Sequence, residues 1–358
     1  MSNDIVRDVE AAIGIVERNY AGYADKRERF GAAAIAAATA AAREAAAAAG
    51  AGSPEDGHRI IDDFLQVFRD GHLQLEVRDS QGRFGNYSWA RKTKAASVSA
   101  APRQSDPGAR VVSDEVFLLT IPSFDLKRKA PIKELVGRSD AEIRRREHLV
   151  IDLRGNGGGA DAAYGCLLPY LYTGPVTVVG ADVLASRESA DAWEAILAQI
   201  PEREAGTRAF IRGIVGKMRA APEGTFIRMV EDETVTRPEV LPRPAQVAIL
   251  IDGGCGSTTE QFLLAARQSR KVTVFGRNSA GVLDYANVRP FVLPSGGRVL
   301  VAATTRSRRL PKEPVDNIGI APHVRIEDLK APGAADDRAV DFILRHWGLK
   351  PPAGRAET

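Results

Sequence analysis

The chain has 358 residues, 44% of them apolar and 27% charged, with a formal net charge of +3. This describes a globular protein long enough for one large or two medium domains, and so small a charge is no footprint of a nucleic-acid partner. Two cysteines, Cys166 and Cys255, exclude a disulfide framework, and among five scattered histidines no Cys/His cluster has zinc spacing, so no metal and no cofactor is expected.

No apolar run reaches the length of a membrane span, and the start Met1-Ser-Asn-Asp-Ile lacks the basic, apolar and small-residue order of an export signal. Read as written, the chain is cytoplasmic; removal of an N-terminal signal would make it periplasmic or secreted. The oligomeric state is open.

The first seventy residues are helical in pattern. Ile5, Val9, Ala12, Ile13 and Val16 share one face, Ile61, Phe64, Leu65 and Phe68 repeat the spacing, and the segment 31–51 between them is nearly all alanine, a strong helix former with little to bury. This predicts an N-terminal helical domain over 1–70.

From about residue 75 the signals change to strands: 73–77, 116–121, 149–153 and 176–179, then 247–251, 272–275, 288–293 and 299–302. Helical patterns at 160–172 and 258–268 intervene, which predicts an α/β domain over 71–358 with a partly parallel sheet. Residues 79–110 read as a surface excursion, about 185–222 as an inserted helical pair with Trp193 and Met218 on its apolar faces, and 336–347 as a closing amphipathic helix.

Two strands run into glycine turns. In Val247-Ala-Ile-Leu-Ile-Asp252 followed by Gly253-Gly-Cys-Gly-Ser257-Thr-Thr-Glu260, a hydroxyl stands at the mouth of a helix, where free N–H groups hold an oxyanion formed by attack from Ser257. The second turn, Asp152-Leu-Arg154-Gly-Asn-Gly-Gly-Gly159, presents further N–H groups, each worth roughly 3 kcal/mol to a developing oxyanion. It also fits a dinucleotide fingerprint, with Gly155, Gly157 and Ala160 in place and Asp182 where a ribose-binding acid would sit, so an NAD-dependent oxidoreductase is one alternative. Two charges at the strand end, Asp152 and Arg154, argue against it. His72 stands at a helix-to-strand junction, and Asp316 in a loop before the last helix.

Taken in order, Asp70-Gly-His72-Leu, Phe117-Leu-Leu-Thr-Ile-Pro-Ser-Phe124, the Leu-Arg-Gly-Asn-Gly-Gly-Gly turn, the Ser-x-x-Glu turn, Val274-Phe-Gly-Arg-Asn-Ser-Ala-Gly281 and Asn317-Ile-Gly-Ile-Ala-Pro322 resemble one family. That family is the serine peptidases of the C-terminal-processing and tricorn-core group, especially the branch without a PDZ module that includes the interphotoreceptor retinoid-binding-protein repeats. The resemblance covers about 250 residues and implies a ClpP/crotonase-like α/β domain beside the N-terminal helical bundle. It implies a peptide or protein substrate and a serine peptidase with Ser257 as nucleophile, His72 as base and Asp316 as acid. The oxyanion donors would be the N–H of Gly157 or Gly158 and that of Thr258.

Two departures shape the expectation. The processing-peptidase branch places a basic lysine where this chain has Val282, so a Ser/Lys dyad is excluded. The tricorn branch places a serine before its histidine, where this chain has Gly71, so any link from His72 to Asp316 is direct or uses another group. A second alternative, a non-catalytic ligand-binding module on the same scaffold, follows from the retinoid-binding repeats.

Overall fold

The structure, a computed structural model, describes residues 4–49, 52–78, 84–87, 106–329 and 338–351; most of the expected excursion at 79–110 lies outside these. The chain divides into two compact units, each built from three stretches of sequence. One comprises Met1–Val98, Val179–Glu231 and Asp284–Glu313, the other Ser99–Val178, Asp232–Leu283 and Pro314–Thr358.

In the first unit the helices Asp4–Asn19, Ala32–Ala49 and Pro54–Gln66 form where apolar spacing and the alanine run predict helix, and Tyr23–Phe30, which buries only Lys26, is a further helix that no such spacing marks. Ser53 caps the last of them, accepting from the Asp56 N–H while Asp56 accepts from Ser53 in return, and Pro54 opens the first turn. The alanine tract buries only Ile35, Ala42 and Ala46, so it covers a core supplied by its neighbours. That core is not confined to residues 1–70. Ile13, Ile61 and Phe68 pack with Leu75, Phe291 and Leu300, because the apolar faces of Asp4–Asn19 and Pro54–Gln66 need a sheet to bury them.

The sheet runs Phe84–Asn86, Gln74–Arg78, Arg298–Ser307, Ala181–Leu184, Phe226–Val230, with Tyr285–Val292 paired to Arg298–Ser307 along its other edge. The helical pair Arg187–Ala195 and Ala205–Ala220 packs Trp193, Ile211, Ile214 and Met218 against Val183. A division at residue 70 therefore does not describe this unit: strands from three parts of the sequence complete it.

The second unit is the α/β part. Its sheet order is Val324–Arg325, Val272–Gly276, Gln246–Ile251, His148–Asp152, Val116–Thr120, Gly108–Val111, parallel throughout except for the last strand. The central strands are apolar on both faces, as a sheet covered by helices on both sides requires. Val247, Ile249 and Ile251 face the core that contains Phe262 and Ile132, while Ala248 and Leu250 face the one that contains Val340 and Ile343 of the closing helix Arg338–His346. One helical expectation fails. Residues 160–172 hold a three-residue 3-10 turn, Asp161–Ala163, and the four-residue helix Leu168–Leu171, since Gly165 and Pro169 interrupt any longer one.

Candidate active site

Strands His148–Asp152 and Gln246–Ile251 are parallel neighbours in register, Leu250 opposite Asp152, so both glycine turns leave the same end of the sheet. Their hydrogen bonds knit them together. Asp252 Oδ1 accepts from the N–H of Gly155 at 2.8 Å and of Gly254 at 2.9 Å; the Gly256 N–H donates to Asn156 O at 3.2 Å. Thr259 Oγ1 lies 2.8 Å from Asn156 Oδ1, and Thr258 Oγ1 donates to Gly159 O at 2.9 Å. Gly158, at φ +105°, has no room for a side chain: a Cβ there would lie 2.8 Å from Ser257 Cβ and 2.9 Å from Thr258 N.

The charges at the strand end are accounted for. Arg154 Nε and Nη2 meet the two Asp152 oxygens at 2.9 and 2.6 Å, both side chains out of water, and the Arg154 N–H closes the same turn at 3.1 Å. A bidentate fork of this kind satisfies the carboxylate without solvent. The turn then enters the short 3-10 segment rather than a helix, so the helix N-terminus that a dinucleotide pyrophosphate needs is missing. Asp182 is spoken for as well, 3.2 Å from Arg228 Nε. The oxidoreductase alternative loses its geometric basis.

Ser257 has φ +55° and ψ −122°, a conformation a residue with a Cβ holds only when its surroundings dictate it. Here they do. Its N–H faces Val282 O at 3.0 Å and Glu260 Oε2 at 3.1 Å, and helix Thr258–Ala266 starts at the next residue. The Glu260 carboxylate also accepts from Ser279 Oγ at 2.5 Å and from the N–H of Gly281 and Val282 at 2.7 and 2.9 Å. Burial pushes its carboxyl above the ordinary value, against the pull of these hydrogen bonds. The sequence offered a signal for this role, since Ser-x-x-Glu is capping-box spacing.

Of the expected oxyanion donors, neither the Gly157 nor the Thr258 N–H donates to any described residue. The Gly158 N–H differs: it donates to Asn156 Oδ1 at 3.0 Å. Asn156 thus shapes the turn, and an asparagine among glycines gives no sequence cue beyond a turn residue. Asp316 is buried and accepts from the Leu283 N–H at 2.8 Å, one residue beyond the carbonyl that takes the Ser257 N–H. The second unit therefore brings Ser257, Thr258, Gly157, Gly158 and Asp316 into one hydrogen-bonded neighbourhood. Val282 contributes its carbonyl, and its side chain has no proton-accepting group.

His72 belongs to the first unit. Its N–H donates to Asp70 Oδ1 at 2.7 Å, and Tyr20 OH donates to the other Asp70 oxygen. Nδ1 lies 2.6 Å from Tyr285 O. A carbonyl oxygen only accepts, so Nδ1 carries the proton and Nε2 keeps the lone pair of a base. A backbone carbonyl thereby fixes the tautomer.

The model of peptidase family S41 matches residues 115–326, more than half of the chain. The chain belongs to peptidase family S41. It is accordingly a member of a serine-peptidase family, and the α/β fold with an N-terminal helical region is that family's. Among solved structures, mature CPAF aligns over 90% of this chain and 92% of its own at 12% identity, with a TM-score of 0.60. A putative peptidase from Parabacteroides merdae ATCC 43184 aligns over 95% and 96% at 14% identity, with a TM-score of 0.57. At these identities the likeness concerns the fold of an S41 chain. No curated protein matches by sequence. Among the described residues no helix is long and apolar enough to cross a membrane.

Proposed function

We propose that this S41 chain is a serine peptidase that uses Ser257, His72 and Asp316 without metal or cofactor. The observation that carries the reading is the Ser257 turn: a serine held in a strained conformation at a helix mouth, beside two N–H groups that donate to no described residue. A sharp strand-to-helix turn of this type exposes the nucleophile hydroxyl.

In this reading His72 Nε2 takes the Ser257 proton as Oγ attacks the scissile carbonyl carbon. The carbonyl oxygen becomes an oxyanion between the Gly157 and Thr258 N–H groups. Collapse breaks the C–N bond, the imidazolium returns its proton to the leaving amine, and water then hydrolyses the acyl-enzyme by the same path. Gly158 contributes by lacking a side chain, its N–H being held by Asn156. Asp316 stabilises the imidazolium as the family's acid, while Tyr285 O holds Nδ1. Peptides or proteins are the substrates.

Replacing Ser257 by Ala tests the reading with a peptide-library turnover assay. The expected loss in kcat is at least ~10⁴-fold. Turnover near that of the unmodified chain would refute it, and tight peptide binding with no turnover in either protein would favour a ligand-binding module.

A further inference from the structure

His72 is fixed at two points, its backbone N–H on Asp70 Oδ1 at 2.7 Å and its Nδ1 on Tyr285 O at 2.6 Å, and both fixings lead to one fully buried side chain, Tyr20. The Tyr20 hydroxyl donates to Asp70 Oδ2, the oxygen that His72 leaves open. Its ring meets that of Tyr285 edge-on, with centroids 5.8 Å apart and planes at 61°, and that of Phe68 in the same way at 5.8 Å and 81°. All of these residues belong to the first unit.

The surroundings leave Tyr20 little freedom. The Ala21 N–H donates to Ala303 O at 2.9 Å, which ties the stretch after helix Asp4–Asn19 to the sheet. Gly22 has φ −86° and ψ −5°, a backbone that any residue adopts, yet a Cβ there would lie 2.3 Å from the Tyr20 hydroxyl oxygen. The Tyr285 hydroxyl donates to Asp25 Oδ2 at 2.8 Å, so the ring that Tyr20 abuts is itself held. On the other side Arg69, at φ +47°, carries a strain that persists only where the surroundings dictate it, and it opens the turn that bears Asp70 and His72. A buried tyrosine hydroxyl needs a partner, and here that partner is the carboxylate that holds the histidine.

We infer that Tyr20 is a positioning residue for His72: its hydroxyl sets the Asp70 carboxylate that fixes the His72 backbone, and its ring braces Tyr285, whose carbonyl fixes the imidazole. The inference rests on the reading of His72 as the base of Ser257, and Tyr20 acts through Asp70 and Tyr285 rather than on the reacting atoms. A misplaced base slows the step that uses it and leaves substrate binding intact, so the effect of Tyr20 falls on kcat rather than on KM.

Peptide turnover and nitrogen NMR of the His72 ring, both on the full chain, test it with Tyr20→Phe, which removes only the hydroxyl, and with Gly22→Ala, which crowds it. Each should lower kcat at least about tenfold with KM held within about twofold. Each should also reduce the Nδ1–H form of His72, which persists only while Tyr285 O accepts from it. Asp70→Asn lacks the second carboxylate oxygen, so adding Tyr20→Phe to it should cost less than about threefold more. Tyr23→Phe, which removes a hydroxyl that faces Glu17 instead, should leave both readouts unchanged, and melting temperatures establish that each variant is folded at the assay temperature. A kcat within about twofold of the unmodified chain in both Tyr20→Phe and Gly22→Ala overturns the inference. So does an unaltered His72 ring signal in both, or a loss on Tyr20→Phe as large beside Asp70→Asn as without it. Retained turnover in Ser257→Ala overturns the catalytic reading and this inference with it; the ring signal needs no turnover, so the two failures are told apart.

Discussion

Glu260 is the residue on which the nucleophile turn converges: three backbone N–H groups and the Ser279 hydroxyl all point at one carboxylate. Glu260→Ala leaves the Ser279 hydroxyl and the N–H groups of Gly281 and Val282 buried without this acceptor, while the Ser257 N–H keeps Val282 O; at about 1–3 kcal/mol for each of the three, urea denaturation should show a loss of roughly 3 kcal/mol or more. A loss below ~1 kcal/mol would mean that water or another group satisfies them. The same residue illustrates what a sequence discloses. Ser257, Gly157, Thr258 and Asp316 were singled out from the stations of the family resemblance, and all four lie in one unit. The carbonyl of Tyr285 that holds His72 Nδ1 was not readable, since a backbone oxygen has no letter of its own.

At the scale of elements, the two parallel strands and their turns act as one piece, with Gly158 as the point of closest approach. Gly158→Ala forces a Cβ to within 2.7 Å of Gly256 O and 2.8 Å of Ser257 Cβ at a φ that disfavours alanine. The expected result is a kcat reduced at least ~100-fold, since an ångström of displacement at the nucleophile suffices for that, with a smaller effect on KM for peptides. A kcat within fivefold of the unmodified chain would show that the turn yields without consequence. Strands of alternating or continuous apolar residues were legible at this scale, as was the capped helix Pro54–Gln66. Residues 160–172 were not: their apolar spacing fits a helix, but Gly165 and Pro169 and the demands of the glycine turn outweigh it. The strand Phe226–Val230 was missed because it lies at a sheet edge with alternate residues exposed and a mixed composition.

For the molecule as a whole, interleaving of the chain between two units explains why a linear boundary at residue 70 fails: a helical layer and the strands it covers come from distant sequence. Three histidines share one thermodynamic consequence. Burial, foremost in each case, holds the imidazoles of His58, His148 and His323 below the ordinary value, aided at His58 by Arg298 and at His323 by Arg267. In the unfolded chain they take protons near pH 6.5, whereas the folded chain resists. Their contribution is thus full above that pH and is lost as pH falls through the depressed folded values. The urea midpoint should therefore fall between pH 7.5 and 5.5, and His148→Phe should flatten that fall; a midpoint constant over this range would contradict the assignment. The central claim, that Ser257 is the nucleophile, is tested most directly by treating the full chain with a serine-directed fluorophosphonate and mapping the adduct by mass spectrometry. A single adduct on Ser257 that disappears in the His72→Ala variant is the expected result; an adduct on another serine, or none on a chain that hydrolyses peptides, would refute Ser257 as nucleophile.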